Sequence, residues 1–443
     1  MTAGLFIEAD WGTLEHGTVQ ERACFSALGI RYGDVWLSEA DDNFVNRIRQ
    51  KPHLSAYRLA EWLAWNWWRL RWEPRTRMPD WALAHRMTTI GGGFIWPNIT
   101  IFSDGERVVL LAKPTQPLPQ EPLRYIADLP AVVRAGEFEN SIDRFIELVI
   151  GKLRAENIVN TNLDQIWASV CAERADPAAS ARRRFEAMLG CDPDEANEVT
   201  IDRLVTDSES LGEKAMNEIA AHRTKTGGVL SAEQLREAAA ANGDYATPGN
   251  AVKLDAKASL SPIGQVAAWK RGAEAAQALR SQEHLGVAPI SNDRLADMMG
   301  VTRDIISERS ASPELSFELD FELDDDGERS GRIVLRSKWE DGRRFGLSRL
   351  LGDRLAGNGD GRLFPATRAH TYRQKMQRAF AAELLCPFDA VEDMLHGDYS
   401  SESIEDVAKR FAVSGLTVRT LLVNHGCIDR EDLEGNFESA VAA

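Results

Sequence analysis

The chain has 443 residues, 44% of them hydrophobic, which suits about two to four domains with substantial cores. A formal net charge of −16 argues against a general nucleic-acid footprint, which rests on clustered Lys and Arg, and leaves room only for a local basic patch. The five scattered cysteines, Cys24, Cys171, Cys191, Cys386 and Cys427, form no CxxC. With no basic leader region and no apolar run near ~18 residues, the expectation is a soluble, cytoplasmic protein with no membrane partner.

In chain order, LFIEADW and DVWLSEADD read as strands, and GFIWPNITIF and RVVLLAKP flank a hairpin turn at Ser103–Glu106, where Asp104-Gly105 is the turn signature. Between them lies SAYRLAEWLAWNWWRLRWEP, a helix apolar on two sides. Leu59, Trp62, Leu63 and Leu70 make one stripe, and Trp65, Trp68 and Trp72 make another. Nine of the twelve tryptophans precede residue 97, so residues 1–140 are expected to form a Trp-rich α/β domain. The cluster serves either as core or as an aromatic groove for a partner, with Trp65, Trp67, Trp68 and Trp72 as candidate contacts.

Residues 141–222 turn helical, with apolar residues three and four apart in SIDRFIELVIGKLRAEN and LDQIWASVCAERAD. Asp176-Pro177 and Asp192-Pro193 each offer a capping acid followed by a proline in a first helical turn. Residues 223–262, rich in Gly, Ala and Thr, read as a linker with one short helix, and residues 431–443 as a tail. The overall expectation is a multidomain α+β chain.

In 263–430, helices PIGQVAAWKRGAEAAQALRSQEHLG and NDRLADMMGV precede two β segments around an acidic turn. RFGLSRLLGDRL follows, a buried helix by its leucines, yet it carries Arg349 and Asp353 on one face, four residues apart. HTYRQKMQRAFAAELLCP is a longer helix stopping at Pro387. Two final helices are expected to be capped by Ser403, with Asp406 completing a capping box, and by Ser414.

The succession of strand, short helix, loop, RAFAAELLCP and DVAKRFAVSGLTVRTLL resembles the ImmA/IrrE family of zincin-like metallopeptidase domains over residues 265–428. The resemblance implies a zincin-like α+β domain with a helix-turn-helix-like end. The family's HELGH becomes RLLGD here, so Arg349 and Asp353 fall where two zinc-binding histidines are expected, and Leu350 falls at the general-base glutamate. The third ligand, a glutamate before FAAELL, would lie in Arg373-Gln374-Lys375-Met376, which contains no carboxylate.

An HExxH helix works because two imidazoles aim lone pairs at one zinc while the glutamate takes a proton from the bound water. Arginine has no usable lone pair and stays charged, and leucine cannot be a base. A rearranged site from Asp353, His370 and Cys386 is the remaining metal candidate. Arg349 and Asp353 are otherwise expected on the floor of a vestigial cleft, reaching water or each other.

The expected function is that of a catalytically inactive pseudo-metallopeptidase, a regulatory or interaction protein without cofactor. The resemblance places it in stress response, mobile-element control or phage-related regulation, with a protein partner such as a helix-turn-helix regulator. The alternatives are a metallo-endopeptidase with a divergent site and a DNA-binding regulator. In the last, residues 403–424 and His425 would read bases with Thr417, Arg419, Thr420 and Asn424. The segment otherwise packs against the domain body.

Overall fold

The expected first strand forms as β1 (Leu5–Trp11) and leads through α1 (Val19–Ala23), closed by a Thr18–Glu21 capping box, into β2 (Phe25–Tyr32). The expected strand DVWLSEADD divides into β3 (Val35–Trp36) and β4 (Ala40–Asp42), which join different sheets. The break falls at Ser38, whose hydroxyl accepts from Ile30 N at 2.9 Å and donates to Gln50 O at 2.8 Å. Next come β5 (Arg47–Arg49), β6 (His53–Ser55), α2 (Ala56–Trp65), α3 (Trp67–Trp72) and α4 (Trp81–His85). The hairpin of β7 (Ile99–Ser103) and β8 (Arg107–Ala112) turns at the expected Asp104-Gly105. Then follow β9 (Leu123–Tyr125), β10 (Leu129–Arg134), α5 (Ala135–Ala155), α6 (Asn162–Ala175), α7 (Pro177–Met188) and α8 (Glu198–Leu211).

This computed structural model describes residues 4–76, 78, 80–116, 122–222, 228–307, 315–325, 328–357 and 361–429. It is an α+β chain of two compact units, Met1–Val205 and Thr206–Ala443. Three small antiparallel sheets serve the first unit, ordered β1-β2-β3 with β6 also on β2, then β10-β8-β7, and β5-β4-β9.

The boundary expected at residue 140 is absent. Helix α5 starts at Ala135 and buries Phe138, Ile142, Phe145 and Val149 in the same core as Leu28, Leu110 and Val133. The expected helical domain 141–222 is therefore divided, its greater part completing the first unit. Asp176 caps α7 as expected, its side chain accepting from Ala178 N at 2.8 Å. Asp192-Pro193 instead opens a turn closed by Glu195 N on Asp192 O at 3.1 Å, with Asp194 at a φ of 67°.

The tryptophan helix is two helices. Helix α2 ends at Asn66, whose backbone leaves helical geometry at φ −93° and ψ 11° and whose side-chain amide shares Trp62 O at 2.9 Å with the backbone N–H. The kink decides the fate of each tryptophan. Trp67 and Trp68 are 4% and 3% exposed and pack edge to face at 4.7 Å, while Trp65 on the preceding turn is 56% exposed. Trp68 Nε1 donates to Glu173 at 2.8 Å, and Trp72 is half-buried beneath the Arg71 guanidinium at 3.9 Å.

The second unit holds α9 (Glu213–Ala220), α10 (Ala232–Asn242), β11 (Asp244–Ala246), α11 (Ala268–Gln282), α12 (Asn292–Met299) and α13 (Asp304–Ser307). Beyond these come β12 (Glu318–Asp325), β13 (Glu328–Val334), α14 (Glu340–Ala356), β14 (Leu363–Ala366), α15 (Tyr372–Leu385), α16 (Phe388–Leu395), α17 (Ser401–Phe411) and α18 (Gly415–Asn424). Its sheet is antiparallel, ordered β11-β13-β12-β14. The expected linker 223–262 is thus part of the body, since β11 pairs Asp244 with Ile333 at the sheet's edge and Ala246, Leu254 and Leu235 are buried. Residues 223–227 and the expected tail 431–443 lie outside the described residues.

Ser414 caps α18 as expected, but α17 begins earlier, capped by Ser400 rather than Ser403. Helices α11 and α15 cross in near-backbone contact at Gly272, where a Cβ would stand 2.4 Å from Met376 O.

The two classes of tryptophan separate experimentally. Trp67→Ala and Trp68→Ala are each expected to destabilise the first unit by about 3–5 kcal/mol, because each leaves a large cavity. Trp65→Ala should stay within about 0.5 kcal/mol. Thermal and denaturant melts check this, and equal effects at Trp65 and Trp67 would contradict the kink at Asn66.

Candidate functional site

Helix α14 is buried nearly all round. Leu347, Leu350, Leu351 and Leu355 enter the core shared with Phe380, Leu384 and Leu385 of α15. Gly352 permits the approach, for a Cβ there would meet the Phe380 ring at 2.6 Å. Arg349 and Asp353 face β12, β14 and α15, and are 7% and 1% exposed.

Contrary to expectation, the two neither pair with each other nor reach water. Asp353 is held in a fork by Arg373 of α15, with Nε donating to Oδ1 and Nη2 to Oδ2, both at 2.7 Å. Arg349 Nη2 donates to Thr367 O and to Gln374 Oε1, both at 2.6 Å, and to Gln377 Oε1 at 3.3 Å. The closest carboxylate to Arg349 is Glu318, 3.9 Å from Nη1. The Gln374 and Gln377 amides donate in turn to Pro365 O at 2.9 and 3.1 Å. Helix α14 is therefore bound to α15 and to the β14 segment by charge-assisted hydrogen bonds.

Two further groups complete the buried network. Glu218 of α9 accepts from the Thr371 hydroxyl at 2.6 Å, and burial pushes its carboxyl above the ordinary glutamate range despite the nearby Arg373 charge. Asp320 of β12, fully buried, pairs with Arg354 of α14, which also donates to Glu322 at 2.7 Å. Burial likewise raises the Asp320 carboxyl, against the pull of Arg354.

Sequence reasoning missed Arg373, Gln374, Gln377, Glu218, Asp320 and Arg354. One signal was present: Arg373 stands in the first turn of α15 just as Asp353 stands on α14. The charges complement each other.

The other candidates lie apart. Cys386 is in the apolar core, where burial pushes its thiol up to about 12, and His370 is exposed. Both oxygens of Asp353 are taken by Arg373. Among the described residues, no three His, Cys, Asp or Glu side chains gather to hold a metal ion. No four-tryptophan groove exists, because Trp67 and Trp68 belong to the core.

In the helix-turn-helix-like segment, Ile404, Val407, Phe411, Val418, Leu421 and Leu422 face the body. Thr417 is buried, Arg419 Nη2 donates to Ser401 Oγ at 2.9 Å, and His425 stacks on Phe388 at 3.5 Å. Thr420 and Asn424 are half-buried. Among the described residues no helix is long and apolar enough to cross a membrane. No family model, curated protein or solved structure matches the chain.

Two predictions follow from this network. Asp353→Ala leaves Arg373 buried without its carboxylate and should cost about 3–5 kcal/mol, whereas Asp353→Leu with Arg373→Met should recover much of that loss. A double-mutant cycle by denaturant titration measures the coupling, and additive losses would show that the fork is not an energetic unit.

For Glu218, the native state keeps its proton over a pH window in which the unfolded chain has released it. The stability it contributes at low pH is therefore lost as pH rises through that window. Glu218→Gln should flatten the melting profile above the ordinary glutamate range and raise the melting temperature at the alkaline end. A profile identical to wild type would overturn the assignment.

Proposed function

We propose that the chain is a catalytically inactive, ImmA/IrrE-like regulatory or interaction protein, working with a protein partner in the cytoplasm. One observation supports it above the others: the side chains on the two motif positions, Arg349 and Asp353, are spent on bonds within the fold. Asp353 is bonded to Arg373 and Arg349 to Thr367 O and Gln374, so neither is available to a metal or a substrate.

A zincin joins its active helix to the rest of the site through the metal. Here the Asp353–Arg373 fork and the Arg349 bonds make that connection between α14 and α15 without one. A retained scaffold whose reactive positions have become structural is suited to binding rather than to turnover. Leu350, at the general-base position, is a core residue.

The partner is proposed as protein because, of the side chains placed to read bases, Thr417 is buried, Arg419 is bonded to Ser401 and His425 is stacked on Phe388. In the first unit, exposed Trp65 is the one remaining member of the tryptophan set with a broad free face.

Elemental analysis of full-length protein purified without chelator tests the reading, with substoichiometric zinc expected and no cleavage of an unstructured protein substrate. One tightly bound zinc per chain, lost in Asp353→Ala variants that remain folded, would establish the metallopeptidase alternative.

A further inference from the structure

Helix α4 is anchored through one fully buried side chain, His85, which lies between two acceptors. Nδ1 is 2.7 Å from Ile101 O of β7, and Nε2 is 3.0 Å from Glu73 Oε2 at the end of α3. Glu73 is equally buried, and the same oxygen accepts from Arg69 Nε at 2.7 Å. Arg69 Nη1 donates in turn to Asp192 at 3.2 Å. The other polar-tipped side chain of α4, Trp81, stacks on the His85 ring at 4.1 Å, and its Nε1 makes no hydrogen bond.

The partners fix the protons. A backbone carbonyl only accepts, so Nδ1 carries a hydrogen. A neutral imidazole would then turn the bare lone pair of Nε2 toward a carboxylate oxygen that has no hydrogen of its own. Neither group can turn to water. The contact is satisfied only by one further proton, on Nε2 or on Glu73, and Arg69 decides between them. It bonds the same oxygen, and a guanidinium bond is stronger to a carboxylate than to its acid. Burial pulls the Arg69 guanidinium down, yet the bond to Glu73 and the charges of Glu73 and Asp192 outweigh it and raise it.

The charges agree with that placement. With the proton on Nε2, His85 and Arg69 face Glu73 and Asp192, two cations against two carboxylates. Without it, a net negative charge remains in a site closed to solvent, which is costly. The other charged groups nearby are solvated: Arg75, across Phe102 from Trp81, and Asp80 and Arg86 at the two ends of α4 are all exposed.

We propose that the proton on His85 Nε2 is a latch, holding α4 against α3 and β7 while it is bound and releasing α4 when it is lost. The latch belongs to the first unit and goes beyond the regulatory reading, and its test is independent of zinc content. Above about pH 6.5 an unfolded histidine is neutral and an unfolded glutamate ionised. The closed form then binds one proton more than the open form, so the latch weakens as pH rises. One proton corresponds to about a ten-fold change in the opening equilibrium per pH unit.

Hydrogen–deuterium exchange of the full chain, followed by mass spectrometry of peptides from residues 81–90 between about pH 6 and about pH 9, is the experiment. Rates are divided by those of the unfolded chain at the same pH. Protection of these peptides should fall about ten-fold per pH unit at the alkaline end, while that of the β8 and β10 strands stays constant. Glu73→Gln should abolish the dependence, because an amide donates to the bare Nε2 of a neutral imidazole with no extra proton. Should that variant fail to fold, the wild-type chain decides alone. Labelled with ¹⁵N-histidine, it should show N–H signals at both ring nitrogens of His85 near neutral pH, assigned with His85→Gln. A single ring N–H, protection independent of pH in the wild type, or an unchanged dependence in Glu73→Gln would overturn the latch.

Discussion

Within the second unit the governing constraint is the buried carboxylate of Asp353. A side chain 1% exposed cannot keep a charge without a partner, and the partner comes from the next helix, as the fork from Arg373. Satisfying Asp353 therefore fixes how α15 lies against α14, and the Gly352–Phe380 contact sets how closely. With α15 in place, Gln374 and Gln377 meet Arg349 and tie β14 through Pro365 O. Removing one charge would expose the cost of the other, which is the usual asymmetry of buried pairs.

The same unit repeats the device with backbone carbonyls. Arg280 donates to Gly286 O at 2.9 Å and to Ala288 O at 2.7 Å, and also reaches Leu384 O at the end of α15. Arg271 donates to Ala356 O, the last residue of α14, at 3.1 Å. Arg344 takes Ile290 O at 2.7 Å, and Arg343 takes Ile305 O at 2.8 Å. Carbonyls at helix ends have no intrahelical donor, and a guanidinium supplies several at once while favouring the negative end of the dipole. Arginine is thus the structural cation of this unit.

The first unit obeys a different constraint. Its core is aromatic and aliphatic, and Asn66 decides which tryptophans enter it. Its buried charged groups meet one another: His85 lies between Ile101 O at 2.7 Å and Glu73 at 3.0 Å, stacked on Trp81 at 4.1 Å, and Arg69 reaches Glu73 at 2.7 Å. Tryptophan abundance is here a property of the interior more than of a recognition groove.

Much of the secondary structure was legible from the residues alone. Period and capping chemistry located β1, the β7–β8 hairpin, α5 to α7, α14, α15 and the Ser414 cap, because these depend on neighbours within a few residues. The sequence also showed Arg349 and Asp353 on one face of a buried helix, and that face is where the network lies. The domain boundaries, the strand within the presumed linker and the partners of the two charges depended on tertiary structure. Asp353 is 20 positions from Arg373, Arg349 is 25 from Gln374, and Thr371 is 153 from Glu218. No local period records such separations. A buried charge announces that it needs a partner, but only the packing of α9, α14, β14 and α15 decides which residue answers.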